Sequence, residues 1–156
     1  MEYEQLKLDN QLCFTLYAAS RLITREYQPL LDKLGLTYPQ YLVLMILWEV
    51  ETSTVNEIAQ KLILNTNTIT PLLKRMEKQG IIIRARANDD ERKVNVSLTD
   101  KGKNLQSAAA PIPLQLSKGI VNETISIDDL LKLKEQLYTI INYLSDKKLP
   151  ETSIEL

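Results

Sequence analysis

The chain has 156 residues, 44% apolar and 25% charged, with 19 basic side chains against 20 acidic ones: enough for one domain with a sizeable core, and too balanced for any global attraction to nucleic acid. Histidine is absent and cysteine occurs once, at Cys13, which excludes an intrachain disulfide and Ser-His-Asp or Cys-His catalysis and removes the commonest zinc ligand, so a protein that is no enzyme and needs neither metal nor cofactor is expected. No apolar run approaches the roughly 20 residues of a membrane span, and the polar start "MEYEQLKLDN" is unlike a secretory signal, so the expected location is the cytoplasm, with no membrane partner.

A first helix is predicted from about Asp9 to Leu34, capped by Asp9 or Asn10. Leu12, Cys13, Leu16, Tyr17, Ser20, Ile23 and Tyr27 recur at helical spacing; Pro29 should kink or break the helix near its end, and Gly35 can close it. "TYPQYLVLMILWEV" reads as a second helix, boxed by Thr37 and Gln40, with Pro39 in its first turn and an apolar run that implies burial on most sides. "TVNEIAQKL" is a short third helix, boxed by Thr54 and Glu57. The fourth, "NTNTITPLLKRMEKQG", turns Ile69, Leu72, Leu73 and Met76 to one side and Asn67, Thr70, Lys74, Arg75 and Lys78 to the other. Its cap is Asn67 or Asn65; in either case Pro71 removes a backbone hydrogen bond and should distort the helix slightly, and Gly80 ends it.

The period then changes. Ile83, Ala85 and Ala87 alternate with Arg84 and Arg86, and Val94, Val96 and Leu98 with Asn95 and Ser97, giving a β-hairpin with the polar tip "NDDE". A fifth helix starts at Thr99 and is bent or interrupted where the alanine run to Ala110 meets "PIP". A sixth begins at Ser126, boxed with Asp129, and carries the stripe Leu130, Leu133, Leu137, Ile140, Ile141 and Leu144; the tail "KKLPETSIEL" should fray.

Two short helices joined by a few residues and followed at once by a hairpin have the order of a winged helix-turn-helix, whose second helix enters the major groove while the hairpin reaches the flanking backbone. From Asn65 to Lys93 the net charge is +3, against -4 for the rest of the chain, so a near-neutral protein carries one basic surface. Double-stranded DNA is therefore the expected partner. Thr66, Asn67, Thr68 and Thr70 are placed to reach base edges or phosphates, and Lys74, Arg75, Arg84, Arg86 and Arg92 supply positive charge. The first and last helices (about 9–34 and 99–148) carry more apolar surface than the winged helix (about 37–98) can cover. Homodimerisation through them, with an intramolecular helical cap as the alternative, would set two reading heads about one DNA turn apart (~34 Å) on a palindromic operator. The expected fold is mainly α with a small β-hairpin wing, a single domain over 1–148 with a flexible tail at 149–156.

In "DERKVNVSLTDKG", Asp90, Arg92, Leu98, Thr99 and Gly102 match the wing signature of the MarR family of bacterial regulators, which the chain resembles up to about Lys148. The resemblance implies that Arg92 binds in or near the minor groove and that Asp90 helps hold it; a carboxylate two residues away orients a guanidinium by charge-assisted hydrogen bonds. Within the family, "NQLCFTLYAASR", "YQPLLDKLGLTYPQYLVLMILWE" and "TPLLKRMEKQG" are similar to the one-cysteine organic-hydroperoxide sensors of the OhrR group. That likeness implies a reactive thiol at Cys13, hydrogen-bonded across the dimer by Tyr27 and Tyr38, with Tyr17 lining the same pocket. The group starts its recognition helix with Asp-Ser-Gly; here Asn65, Thr66 and Asn67 stand there, so the anion-binding helix start survives while one negative charge and one glycine are gone.

Cys13 by itself reads either as a small hydrophobe in a core or as a reactive sulfur. A lone cytosolic thiol has no cross-linking role, Tyr17 lies one turn away on the same face, and Tyr27 and Tyr38 fall where helices join. The expectation is a DNA-binding repressor released when organic hydroperoxide oxidises Cys13 to sulfenic acid, which a low-molecular-weight thiol captures or further peroxide overoxidises. The resemblance also implies an apolar pocket, here including Leu12, Phe14, Leu16 and Tyr41, that would favour greasy peroxides. The alternative is a MarR-type repressor released by a small aromatic ligand, with Cys13 merely packed in the core.

Overall fold

Side-chain caps start four α-helices and glycines close two in the computed structural model, which describes residues 3–87, 90 and 92–147. The hairpin-tip residues Asn88, Asp89 and Glu91 and the tail expected at 149–156 lie outside the described residues. The chain divides into two units, Met1–Pro113 and Leu114–Leu156.

In the first unit two 3-10 turns, Glu4–Leu6 and Leu8–Asn10, precede α1 (Leu12–Asp32). Asp9 and Asn10 therefore do not cap α1: both lie in the second turn, where the Asn10 amide donates to the Glu4 carbonyl (2.9 Å), and the cap position falls to Gln11, whose amide donates to the Gln5 carbonyl. Nor does Pro29 break α1. The helix runs through it to Asp32 and is closed where Gly35 turns to φ +67° and Leu36 N–H returns to the Leu31 carbonyl (3.1 Å). Full burial of Leu31 anchors that last turn.

α2 (Tyr38–Val50) starts at the expected Thr37–Gln40 box, and α3 (Val55–Lys61) at the Thr54–Glu57 box. α4 (Thr66–Lys78) has Asn65 as its cap residue and is continuous past Pro71, its inward face filled by Ile69, Leu72, Leu73 and Met76. These join Leu31, Leu36, Tyr41, Val43, Leu44, Leu47, Ile58, Ile82 and Val96 in one core. α5 (Asp100–Ala109) is capped by the Thr99 hydroxyl, and the chain breaks at Ala110–Pro111 before α6 (Ile112–Ile120), a separate helix that the sequence reading did not count.

The sheet contains the expected hairpin and one strand more. β2 (Ile82–Arg86) and β3 (Val94–Leu98) pair antiparallel, but a third strand, β1 (Thr52–Thr54), joins the other edge of β3, giving the order β1-β3-β2. The pairing also sets the phase of β2, which the alternation alone leaves open. Ile83 and Ala85 face solvent, while Ile82 and Arg84 stand opposite Leu98 and Val96 on the core side. Directly opposed residues of an antiparallel pair share a face, so the apolar set of β3 decides which residues of β2 turn inward. Arg84 accordingly turns inward, its side chain 15% exposed.

In the second unit α7 (Ile127–Asp146) starts at the Ser126–Asp129 box. None of its residues is buried; Leu133, Ile140, Ile141 and Leu144 of the expected stripe are exposed.

Candidate DNA-reading face and thiol site

α3, the turn 62–65 and α4 form the helix pair, and the wing follows directly. Thr66, Asn67 and Thr68 are the first three residues of α4 and are exposed; Thr70 is half-buried, and Lys74 and Arg75 are exposed. No side chain caps this helix start; the Thr68 N–H turns back to the Asn65 carbonyl (2.9 Å), and the N–H groups ahead of it point out of the helix end, where an oxygen ligand can meet them. Thr66, Thr70, Arg84 and Arg92 come together around one depression of about 270 Å³, with Thr54, Val55, Asn56, Lys93 and Val94 completing its wall. Asn67, Thr68, Lys74, Arg75 and Arg86 are not part of that wall.

Arg92 is 92% exposed yet held: Nε and Nη2 donate to the two Asp90 carboxylate oxygens (3.1 and 3.4 Å), and the Arg92 backbone N–H donates to Oδ1 (3.0 Å). The Arg92 side chain, then its backbone N–H, lowers the Asp90 carboxyl below the usual aspartate range. Arg84 is placed differently. Its side chain is 15% exposed and Nη1 donates to Glu77 Oε2 at 3.4 Å.

Cys13 is the second residue of α1 and is exposed, so it is not a core residue of this chain. Tyr17 stands one turn on, with the Arg21 guanidinium 5.5 Å from its ring centroid. Leu12, Tyr17 and Ile23, on the same side of α1 as Cys13, are exposed as well and give that side an uncovered apolar face, and Phe14 and Leu22 are exposed on other sides of the helix. Tyr27 and Tyr38 meet, their ring centroids 4.9 Å apart, and Tyr41 joins them at 6.0 Å from Tyr27, followed by Trp48 at 6.1 Å from Tyr41. Burial raises all three phenols above their ordinary value. These rings and Cys13 are not neighbours within one chain: 14 helical residues separate Cys13 from Tyr27, about 21 Å at 1.5 Å each. For the same reason the pocket expected from Leu12, Phe14, Leu16 and Tyr41 does not form within one chain. Tyr41 is buried in the core beside Tyr27, while Leu12 and Phe14 are exposed at the far end of α1.

Three residues support the reading head through contacts that span the fold. Gln40 is buried; its Oε1 accepts the Thr37 N–H (2.9 Å) and its Nε2 donates to Gln79 Oε1 (2.9 Å), tying the start of α2 to the end of α4. Trp48 Nε1 donates to the Gly102 carbonyl (3.0 Å), and a Cβ on Gly102 would lie 2.2 Å from the Ile81 carbonyl oxygen. Capping spacing revealed the first of Gln40's bonds; partners 39 and 54 residues away leave no local signal. Among the described residues no group of three or more His, Cys, Asp or Glu could hold a metal ion, and no helix is long and apolar enough to cross a membrane.

The helix pair, the basic wing and the three-stranded sheet define a winged helix-turn-helix protein. The family described as "Transcriptional regulator SarA/Rot" matches residues 25–108. The organic hydroperoxide resistance transcriptional regulator of Bacillus subtilis strain 168 is 50% identical over 149 residues, 94% of this chain and 97% of that protein. Reduced AbfR bound to DNA, a Staphylococcus epidermidis protein, superposes with a TM-score of 0.72 at 39% identity, covering 93% of this chain and 100% of that one. Its disulfide-formed state gives 0.61 at 39% identity, covering 92% and 96%. The chain belongs to the MarR-type family of winged-helix transcriptional regulators.

Proposed function

We propose that this chain is a homodimeric repressor that grips a palindromic duplex while Cys13 is reduced and lets go when an organic hydroperoxide oxidises it. One observation carries the reading: the lone thiol stands exposed on an uncovered apolar face of α1, about 21 Å along the helix from a half-buried phenol pair. Burial of that face against a second copy is favoured at roughly 25 cal/mol per Å². A two-fold, antiparallel pairing of two α1 helices centred near Ser20 sets each Cys13 beside the partner's Tyr27 and Tyr38, which donate hydrogen bonds to sulfur. Likeness to a hydroperoxide-resistance regulator, and to a protein solved on DNA and in reduced and disulfide forms, supports the same reading.

On the DNA side, the start of α4 reads the major groove through Thr66, Asn67, Thr68 and Thr70; Lys74, Arg75 and Arg86 meet phosphate, and Arg92, oriented by Asp90, reaches the flanking groove. On the sensing side, the Cys13 thiolate attacks the distal peroxide oxygen. The O–O bond breaks, the alkoxide takes a proton and leaves as the alcohol, and sulfur becomes sulfenic acid. A low-molecular-weight thiol then condenses with it, releasing water and forming a mixed disulfide that a further thiol can reverse. The adduct displaces the phenols and the reading heads lose their spacing; a loss of ~3 kcal/mol weakens binding over a hundredfold. The reaction is stoichiometric.

Cys13→Ser protein is expected to shift a duplex carrying the region upstream of its own gene, and to stay bound when cumene hydroperoxide is added with a small thiol. Release of the Ser variant by peroxide would place the switch elsewhere.

A further inference from the structure

We propose that Arg84 is a positioning residue, a brace that fixes the wing against the recognition helix through Glu77, and not a ligand of DNA phosphate. This rests on the reading that α4 and the wing hold duplex DNA. Arg84 sits at the centre of β2 on the core side of the sheet, opposite the buried Val96. Its guanidinium leaves that side towards α4, where Nη1 donates to Glu77 Oε2 (3.4 Å). At 15% exposure, against 92% for Arg92, its side chain offers a phosphate little access.

Two further features fit a brace. Among the described residues, the Nε of Arg84 is the buried side-chain nitrogen or oxygen without a hydrogen-bond partner, a cost that an apolar residue of similar length would avoid. Retaining arginine there calls for a role that only its charged end can fill. Glu77 is the one acidic residue of α4, two turns beyond Thr70 on the polar side. A carboxylate on a helix that approaches phosphates lowers affinity by simple repulsion, so its presence also calls for a partner, and Arg84 is that partner. From Arg84 the ladder continues through Ala85↔Asn95 and Arg86↔Val94 towards Arg92. Fixing Arg84 therefore sets where Arg92 stands relative to the start of α4.

The test is an equilibrium titration of the duplex upstream of the chain's own gene across a range of salt. It uses the unaltered protein, Arg84→Lys, Arg84→Ala, Glu77→Gln and the Arg84→Lys/Glu77→Gln double variant, each checked as folded by circular dichroism. A brace predicts that Arg84→Lys and Glu77→Gln each weaken binding about five- to tenfold, and that the double variant is no weaker than either. It also predicts that all variants, Arg84→Ala included, keep the salt slope of the unaltered chain. Charge alone predicts the opposite sign for Glu77→Gln, since a negative group leaves the DNA side. Unchanged or tighter binding by Glu77→Gln, or a slope reduced by about one in Arg84→Ala, would overturn the proposal and make Arg84 a phosphate ligand. Failure of the unaltered chain to bind removes the DNA reading and the brace with it.

Discussion

The ring centroids of Tyr27 and Tyr38 lie 4.9 Å apart, joining the later turns of α1 to the first residue of α2. Burial raises both phenols above 10.0, and the neighbouring phenols Tyr38 and Tyr41 raise Tyr27 further. Between 10.0 and the raised native values, the unfolded chain has lost protons that the native chain keeps. The stability these groups contribute is therefore complete below pH 10 and declines as pH rises through the raised values. Alkaline titration by phenolate absorbance is expected to show a late group that disappears in a Tyr27→Phe/Tyr38→Phe/Tyr41→Phe variant. A single transition for all tyrosines would contradict the cluster.

Asp90 and Arg92 act as one unit at the wing. Arg92→Ala is expected to weaken binding on every duplex and reduce the salt slope by about one. Asp90→Asn should weaken binding too, although removal of a negative charge alone would strengthen it, because the guanidinium loses its anchor. The Asp90 carboxyl titrates below 3.8 in the intact protein, so its anchoring persists through the neutral range and is lost only as pH falls through that lowered value. Carboxyl NMR should show the Asp90 value rising in Arg92→Ala.

Gly102→Ala tests a steric constraint. The added Cβ would meet the Ile81 carbonyl oxygen at 2.2 Å and the Leu98 side chain at 3.0 Å, so β3, α5 or the turn after α4 must move. Destabilisation of about 2–4 kcal/mol is expected, read as a lower urea midpoint. A change under ~0.5 kcal/mol would mean the contact relaxes freely.

Ile63 offers the opposite sign. It lies in the turn between α3 and α4 at φ 53°, 67% exposed, followed by Leu64 N–H donating to the Ala59 carbonyl (2.9 Å). A β-branched residue is strained there and buries little, so Ile63→Gly is expected to raise stability by about 0.5–1 kcal/mol, seen as a higher melting temperature. A lower one would show that the Ile63 side chain packs in the assembled protein.

Much of this architecture was legible before any coordinates. Thr37 with Gln40, Thr54 with Glu57 and Ser126 with Asp129 mark three helix starts because a capping box closes within four residues. Gly80, at φ 68°, marks the end of α4 for an equally local reason, and the Asp90–Arg92 contact spans two residues. Other features came from tertiary structure alone. The strand β1, the inward turn of Arg84, and the bonds from Gln40 to Gln79 and from Trp48 to Gly102 depend on partners far along the chain. Alternation in "IIIRARA" gives the period of a strand but not which half faces the core; the pairing with Val94, Val96 and Leu98 decides that. Helical periodicity likewise placed Cys13 and Tyr27 on one helix, while the rise of that helix holds them about 21 Å apart. A local pattern determines elements and caps, because their energetics close within a turn. Phase and proximity belong to the packed molecule, because only there does one element's apolar face select another's.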